Sequence, residues 1–131
     1  MDKNYSIIEL GTFKEDLANK KRIMVGQDLG LTGSEISFNH TPAGGFTPFV
    51  HSHKLNEEVY IILSGNGMFM VDENEFPIKE GSIIRVAPEG ERAIKAVTDM
   101  DHICIQAQKE SLTQATRDDG VITETKASWM K

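Results

Sequence analysis

The sequence predicts an all-β protein, a sandwich or barrel built from short strands. A series of short runs rich in β-branched and aromatic residues recurs at near-regular spacing, and clusters of glycine, proline, asparagine and aspartate separate them. Strands do not alternate with helix-length segments, which argues against a parallel doubly wound sheet. The 131 residues fit one domain, so we expect a single domain over 1–131 with its barrel core at about 22–108.

The elements follow from the local patterns. Helical periodicity is weak except at 13–21, which predicts a turn or two of helix after Thr12 as N-cap. In the more polar tail, residues 121–125 are expected to add an edge strand, and Trp129 to pack the tail onto the barrel or a partner subunit. The predicted strands are 22–27, 35–41, 46–53, 57–64, 67–72, 75–80, 82–87, 91–97 and 102–108.

Charge and cysteine content narrow the function classes. The net charge of −6 and the pI near 5.2 argue against nucleic acid, which needs a basic footprint. The dense basic cluster 20–22 is interpreted as a solvated surface cluster. The single cysteine, Cys104, excludes an intramolecular disulfide and lies in an apolar run, where we expect it to pack as a small hydrophobic side chain.

Targeting signals are not apparent in the sequence. The first residues lack a long apolar core and carry acids early, unlike a secretory signal, and no apolar run approaches the length of a membrane span. We therefore expect a cytoplasmic protein that binds small molecules rather than nucleic acid or membrane.

The segment 45–65, GFTPFVHSHKLNEEVYIILSG, carries a histidine-glutamate constellation. Side chains alternate faces along a strand, so His51 and His53 are expected to share one face. Glu58 shares a face with Tyr60 in the next predicted strand. If residues 54–57 turn the chain so that these two strands pair, two imidazoles and a carboxylate converge.

Such a donor set has a definite chemistry. Imidazole and carboxylate suit Fe(II), Mn(II), Zn(II), Ni(II) or Cu(II), and a set of two histidines and one carboxylate leaves coordination positions open. The alternative is that His51 and His53 are ordinary strand-face residues and that Glu57 and Glu58 face solvent.

The glycine offsets around this constellation resemble the first motif of the cupin superfamily. That motif runs glycine, five residues, HxH, three or four residues, glutamate, six residues, glycine, and this chain gives Gly45, His51-Ser52-His53, Glu58 and Gly65 at those offsets. The resemblance implies a single-domain jelly-roll barrel with a metal inside, and it selects Glu58 over Glu57 as the ligand.

The second cupin motif departs from its usual pattern. Counted from Gly81, Ala87 stands at the proline position, Glu89 at the glycine position and Arg92 where the fourth ligand, a histidine, is usual. Arginine stays protonated and cannot serve as an ordinary ligand. Further likeness along nearly the whole chain is to short bacterial cupins without an assigned reaction.

Two arrangements of Arg92 follow. In the first, His51, His53 and Glu58 bind a divalent transition metal (Fe, Mn, Zn or Ni), and Arg92 turns its fork to an anionic ligand group. In the second, Arg92 pairs with Glu58, takes the place of the metal's charge and leaves the site metal-free.

Other residues are candidates for the pocket. Alternation offers Phe49 and Tyr60, with Ile62 and Ile94, as walls, and Phe38 as a further substrate-binding candidate. His40 and His102 are additional candidates for a base or a ligand, although each is also typical of a surface or strand end.

These features predict either of two function classes. One is a metalloenzyme for a small polar or anionic molecule, of the isomerase or epimerase, decarboxylase or dioxygenase type. The other is a non-catalytic domain that binds or senses a small ligand. A homodimer is expected with either, as with a third, purely structural role, because cupins often pair.

Overall fold

The computed structural model describes residues 4–114 and 116–130, and the strands of this part form two antiparallel sheets. The larger sheet has the order β1-β2-β8-β3-β6 and the smaller one β5-β4-β7. The strands are β1 Arg22–Met24, β2 Glu35–Thr41, β3 Asn56–Ser64, β4 Asn66–Val71, β5 Asn74–Lys79, β6 Ile83–Val86, β7 Arg92–Ala96 and β8 Met100–Gln108. The all-β prediction is confirmed.

The core lies between the two sheets. In β3, Glu58, Tyr60 and Ile62 are buried while the residues between them are less so, which is the alternation that the sequence predicted. Tyr60 meets Phe69 of β4 edge to face, with ring centroids 4.9 Å apart. Burying an Ile62 or Phe69 side chain contributes roughly 1.5–3 kcal/mol each. Glu58 therefore projects from a strand face that is fixed by tight hydrophobic packing.

The segment 46–53 is not a regular strand, so that prediction is wrong. It pairs with β7 through two isolated bridges, Phe46 with Lys95 and His51 with Arg92, and between them the Thr47 amide donates to the Ile94 carbonyl at 3.3 Å. Between the bridges this segment advances five positions and β7 only three, so two extra residues bulge outward. Pro48, which has no N–H to donate, lies in that bulge.

The expected pairing of this segment with β3 is also wrong. β3 lies between β6 and β8, and the histidine segment crosses instead to the smaller sheet. The histidines and Glu58 consequently meet across the two sheets rather than side by side in one hairpin.

The helical turn after Thr12 is confirmed as Phe13–Leu17 followed by Ala18–Lys20. The Thr12 hydroxyl does not cap the helix; instead the Thr12 amide donates to the Asp16 carboxylate at 2.8 Å. Phe13 stacks on Phe38 with centroids 5.1 Å apart, which fixes the turn against β2.

The first predicted strand ends early, at Met24, and a short helix, Gly26–Leu29, follows it. The Gly26 amide donates to the Glu35 carboxylate at 2.9 Å, which anchors this helix to the start of β2.

The tail also departs from prediction. It forms short helical turns at Thr116–Asp119 and Ser128–Met130, and 121–125 is not a strand. Val121 and Ile122 are highly exposed and have no sheet edge beside them. Trp129 is 82% exposed, so it does not pack onto the barrel, and its contact with a partner subunit stays a prediction. None of the helices in the described residues has the length and apolar character that crossing a bilayer requires.

Candidate functional site

Three side chains of the constellation meet at one end of the space between the sheets. His51 is held on β7 by two backbone hydrogen bonds with Arg92, of 3.2 and 2.9 Å, and the His53 amide donates to the Pro88 carbonyl at 2.7 Å. Glu58 comes from the buried face of β3. One donor atom from each of His51, His53 and Glu58 lies within 4.8 Å of the others.

One nitrogen of each imidazole is available to bind a metal, because it is not engaged in a hydrogen bond within the described residues. His51 Nδ1 and His53 Nε2 are buried and have no hydrogen-bond partner in the described part of the chain. His53 Nε2 lies 3.2 Å from Glu58 Oε2 but is not aligned as a hydrogen bond. Buried polar atoms without partners are rare in folded proteins, and here they converge on a carboxylate. This is a donor set suited to a divalent transition metal.

The protonation states also suit ligation. Burial lowers the pKa of His51; Glu58 opposes this shift, and Arg92 and His53 add to it. Burial would raise the pKa of Glu58, but hydrogen bonds from Tyr60 and Arg92, with the charge of His53, outweigh it and lower that pKa. Near neutral pH, His51 is thus a free base and Glu58 a carboxylate, the forms that bind metals.

The N–H groups of Arg92 donate hydrogen bonds to acceptors within the protein. The side chain is 1% exposed, and its Nη1 donates to Glu58 Oε1 at 2.7 Å. The Nε and Nη2 groups donate to carbonyl oxygens of the adjoining turn, those of Ala87, Pro88 and Gly90, at 2.8–3.1 Å. With most of its five N–H groups satisfied, the fork is not free to clamp an incoming anion as the first arrangement expected.

The Arg92–Glu58 pair engages only one oxygen of the carboxylate. Oε1 accepts from Arg92 and from the Tyr60 hydroxyl, each at 2.7 Å, whereas Oε2 faces His53 and lies 3.4 Å from Cys104 Sγ. The geometry therefore combines the two arrangements: Arg92 pairs with Glu58, and the second oxygen still faces the histidines.

A cavity of about 350 Å³ opens beside this centre. Its lining includes Phe49, Tyr60 and Arg92, together with His51 and Glu58. Burial raises the pKa of Tyr60, and that of Cys104 to about 12, so both stay protonated and act as polar wall rather than as nucleophiles.

Of the remaining candidate residues, His40 and His102 line the cavity and Phe38 does not. Phe38 does not line the cavity, because Ser37 and Asn39 face it and alternation turns Phe38 to the opposite side, against Phe13. His40 lines it, with Nδ1 2.6 Å from Asp101 Oδ1.

His102 lines the cavity as well and is 5% exposed, and its buried Nδ1 has no hydrogen-bond partner among residues 4–114 and 116–130. Burial lowers its pKa to about 4, with Arg22 adding to the shift.

Sequence reasoning missed the basic residues of this cavity. Lys21 and Arg22 are exposed to solvent, as the solvated-cluster interpretation expects, but both also line the cavity. Arg22 opens β1 and lies opposite Asn39 of β2. Alternation shows that Arg22 and Met24 share a face, but no local signal says which face of an edge strand turns inward.

Comparisons with known proteins agree with this architecture. The family described as cupin domain matches residues 38–105. The crystal structure of a cupin protein from Bacteroides fragilis is 40% identical, covers 92% of this chain and 98% of its own, and superposes with a TM-score of 0.84.

More distant structures share the fold. A putative sugar phosphate isomerase from Acidithiobacillus ferrooxidans is 20% identical, with a TM-score of 0.60, over 66% of this chain and 58% of its own. An uncharacterized protein from Methanocaldococcus jannaschii is 34% identical over 56 residues. The matched stretch is 43% of this chain and 44% of that relative, so the chain spans less than half of the relative's length. The family match and the Bacteroides fragilis structure, together with the two facing sheets, show that this chain belongs to the cupin family.

Proposed function

We propose that this chain is a metal-binding cupin in which His51, His53 and Glu58 hold a divalent transition metal. The observation that carries the proposal is the pair of buried imidazole nitrogens that have no hydrogen-bond partner among the described residues and lie beside Glu58 Oε2, the carboxylate oxygen that Arg92 and Tyr60 do not contact. Fe, Mn, Zn and Ni all suit two imidazoles and a carboxylate. The chain as one cupin domain, its barrel core at about 22–108, is part of the same proposal.

Arg92 has a positioning role in this proposal. Together with the Tyr60 hydroxyl it holds Oε1, which fixes the carboxylate plane and leaves Oε2 for the metal. Glu58 and Arg92 cancel in charge, and imidazoles bind a metal in their neutral form, so a bound dication would leave an excess charge of two in a partly desolvated site. Such a site favours an anionic ligand over a neutral one.

We propose an enzymatic role on a small polar or anionic molecule, of the isomerase or epimerase, decarboxylase or dioxygenase type. A metal with open positions supplies Lewis-acid or oxygen-activating chemistry when bound. The chain's own contribution is to orient Glu58 through Arg92 and Tyr60, and to wall the ligand with Phe49 and the Tyr60 ring.

A metal-free binding or sensing domain is the second candidate. The 2.7 Å Arg92–Glu58 pair favours it, because a guanidinium already neutralises the carboxylate without any metal. In that case the cavity binds a small ligand and forms no product.

Calorimetric titration of chelator-treated protein with Mn(II), Zn(II), Ni(II) and anaerobic Fe(II) separates the two candidates. We expect one site per chain, and His51→Ala to weaken it by about a hundredfold or more. The matched control is His40→Ala, which removes a cavity histidine outside the donor set and should bind metal as the wild type does. The metal proposal fails if no ion binds under any loading condition, or if both variants lose affinity equally.

Turnover is tested separately. A screen of sugars, keto acids and catechol-like compounds with each metal should yield a product, whereas ligands that raise the unfolding temperature without product would favour the binding domain. A cytoplasmic homodimer completes the proposal, and sedimentation equilibrium tests the dimer.

A further inference from the structure

The cavity is basic although the chain is acidic. Among the described residues, the charged side chains that line it are three cations, Lys21, Arg22 and Arg92, and one carboxylate, Glu58, whereas the whole chain carries −6. Arg92 and Glu58 neutralise each other at 2.7 Å, so the charges of Lys21 and Arg22 stand uncompensated within the lining. A cleft of one sign concentrates ligands of the opposite sign.

Three polar residues form a row across the inner face of the larger sheet. Arg22 of β1 lies opposite Asn39 of β2, and Asn39 lies opposite His102 of β8. All three line the cavity. Neighbouring strands lie about 4.8 Å apart, so the backbones of Arg22 and His102 are roughly 10 Å apart with Asn39 between them, and the long Arg22 side chain can span that distance toward a small group at His102.

The polar atoms of this row are largely unused. Arg22 has no hydrogen bond or ion pair within the described residues that its guanidinium would have to give up. Asn39 uses only Nδ2, which donates to Ser37 Oγ at 3.0 Å. His102 is 95% buried, yet its Nδ1 has no hydrogen-bond partner in the part of the chain that the structure describes. A buried nitrogen that faces a cavity and has no partner among the described residues is available to hydrogen-bond a ligand.

The charge of Arg22 reaches into the cavity. It adds to the burial that lowers the pKa of His102, and it contributes to the lowering at His51. His102 therefore stays neutral near pH 7 and can donate one N–H, while Arg22 supplies the charge. Asp101, bonded to His40, is the acid beside this row on β8 and is not part of the cavity lining.

We propose that Arg22, Asn39 and His102 form an oxyanion subsite that binds the carboxylate or phosphate group of the cavity's small ligand. The inference deepens the proposed function by naming the ligand class, and it assigns the anion contact to Arg22 instead of Arg92. Tyr60 separates this subsite from the metal centre: its ring lies 5.8 Å from that of His102, and its hydroxyl donates to Glu58. A ligand that reaches both carries an oxyanion at one end and a metal-binding oxygen at the other.

The subsite can be tested without the metal. Inorganic phosphate and acetate are titrated into chelator-treated, ¹⁵N-labelled protein while side-chain signals of Arg22, Asn39 and His102 are followed. We expect these signals to shift and Arg22→Gln to raise the Kd about tenfold or more. His102→Gln should also weaken binding. The matched control is Arg85→Gln, an exposed arginine of β6 outside the cavity, which should leave the Kd unchanged.

The two proposals fail differently. Because the subsite does not use the metal ligands, His51→Ala should bind phosphate as the wild type does even if it loses metal. The subsite is overturned if neither anion binds the wild type at up to about 50 mM, or if Arg22→Gln binds as tightly as Arg85→Gln. Stronger binding of phosphate than of acetate would assign the subsite to phosphate esters, and the reverse order to carboxylates.

Discussion

Replacing Arg92 by methionine tests whether this guanidinium holds the site together. The side chain is buried and donates to Glu58 and to three carbonyl oxygens of the 87–90 turn. Methionine fills similar volume but leaves the buried Glu58 carboxylate without its counter-charge. Removing one partner of a buried ion pair costs about 3–5 kcal/mol.

The loss can be read from urea denaturation of chelator-treated protein, so that bound metal cannot offset it. With a slope of about 1.5 kcal/mol per M, Arg92→Met should lower the unfolding midpoint by roughly 2–3 M. Arg85→Met, which removes an exposed arginine, should change stability by less than about 0.5 kcal/mol.

A second substitution isolates the cause. If the cost comes from an unpaired Glu58 charge, adding Glu58→Gln to Arg92→Met should restore part of the lost stability, which a double-mutant cycle measures. An Arg92→Met midpoint close to that of Arg85→Met would refute the reasoning, since Glu58 would then not depend on the pair.

Three other outcomes follow from the same geometry. The pKa of His102 is lowered from 6.5 to about 4 in the folded protein, so the unfolded chain binds more protons between these two pH values. The free energy of unfolding should therefore fall by roughly 3 kcal/mol as the pH drops through that window. Urea unfolding at several pH values measures this profile, and His102→Gln should flatten it between pH 6.5 and 4. Gly65 and Gly44 have nearly the same positive φ, 80° and 79°, but a Cβ at Gly65 would overlap the Asp99 carbonyl while Gly44 is open. Gly65→Ala should therefore cost at least about 2 kcal/mol more than Gly44→Ala in thermal or urea unfolding. Trp129, the single tryptophan, should emit at the long wavelength of an exposed indole when the protein is monomeric and shift to shorter wavelength if a second subunit covers it. A blue-shifted spectrum from protein that sedimentation shows to be monomeric would contradict the exposed position.

The sequence predicted which strand residues face the core where the alternation of polar and apolar side chains is regular. β3 has strict alternation, so Glu58 could be assigned to the face of Tyr60 and Ile62, and the turn residues marked most strand ends. The path of the histidine segment could not be derived in this way. Its partner, β7, lies some 40 residues away along the chain, and the bulge containing Pro48 hides the pairing from any period-two pattern.

The surroundings of the site were harder to predict for a similar reason. The position of Arg92 was visible, but its carbonyl partners appear only once the 87–90 turn folds back over the guanidinium. Arg22 belongs to an edge strand of three residues, too short for alternation to show an inward face. Whether Arg22 faces the cavity thus depends on how β1 pairs with β2, and the sequence alone does not show that pairing.

The most direct test of the account is whether a metal occupies the centre formed by His51, His53 and Glu58. Protein purified without chelator or affinity tag would be analysed for metals and then crystallised, with anomalous diffraction measured at the absorption edge of the metal found. We expect one transition metal per chain, with its anomalous peak within coordination distance of the two imidazoles and of Glu58 Oε2 while Arg92 still donates to Oε1. A metal-free centre after loading with each of the four metals, with His53 turned to hydrogen-bond Glu58, would contradict it.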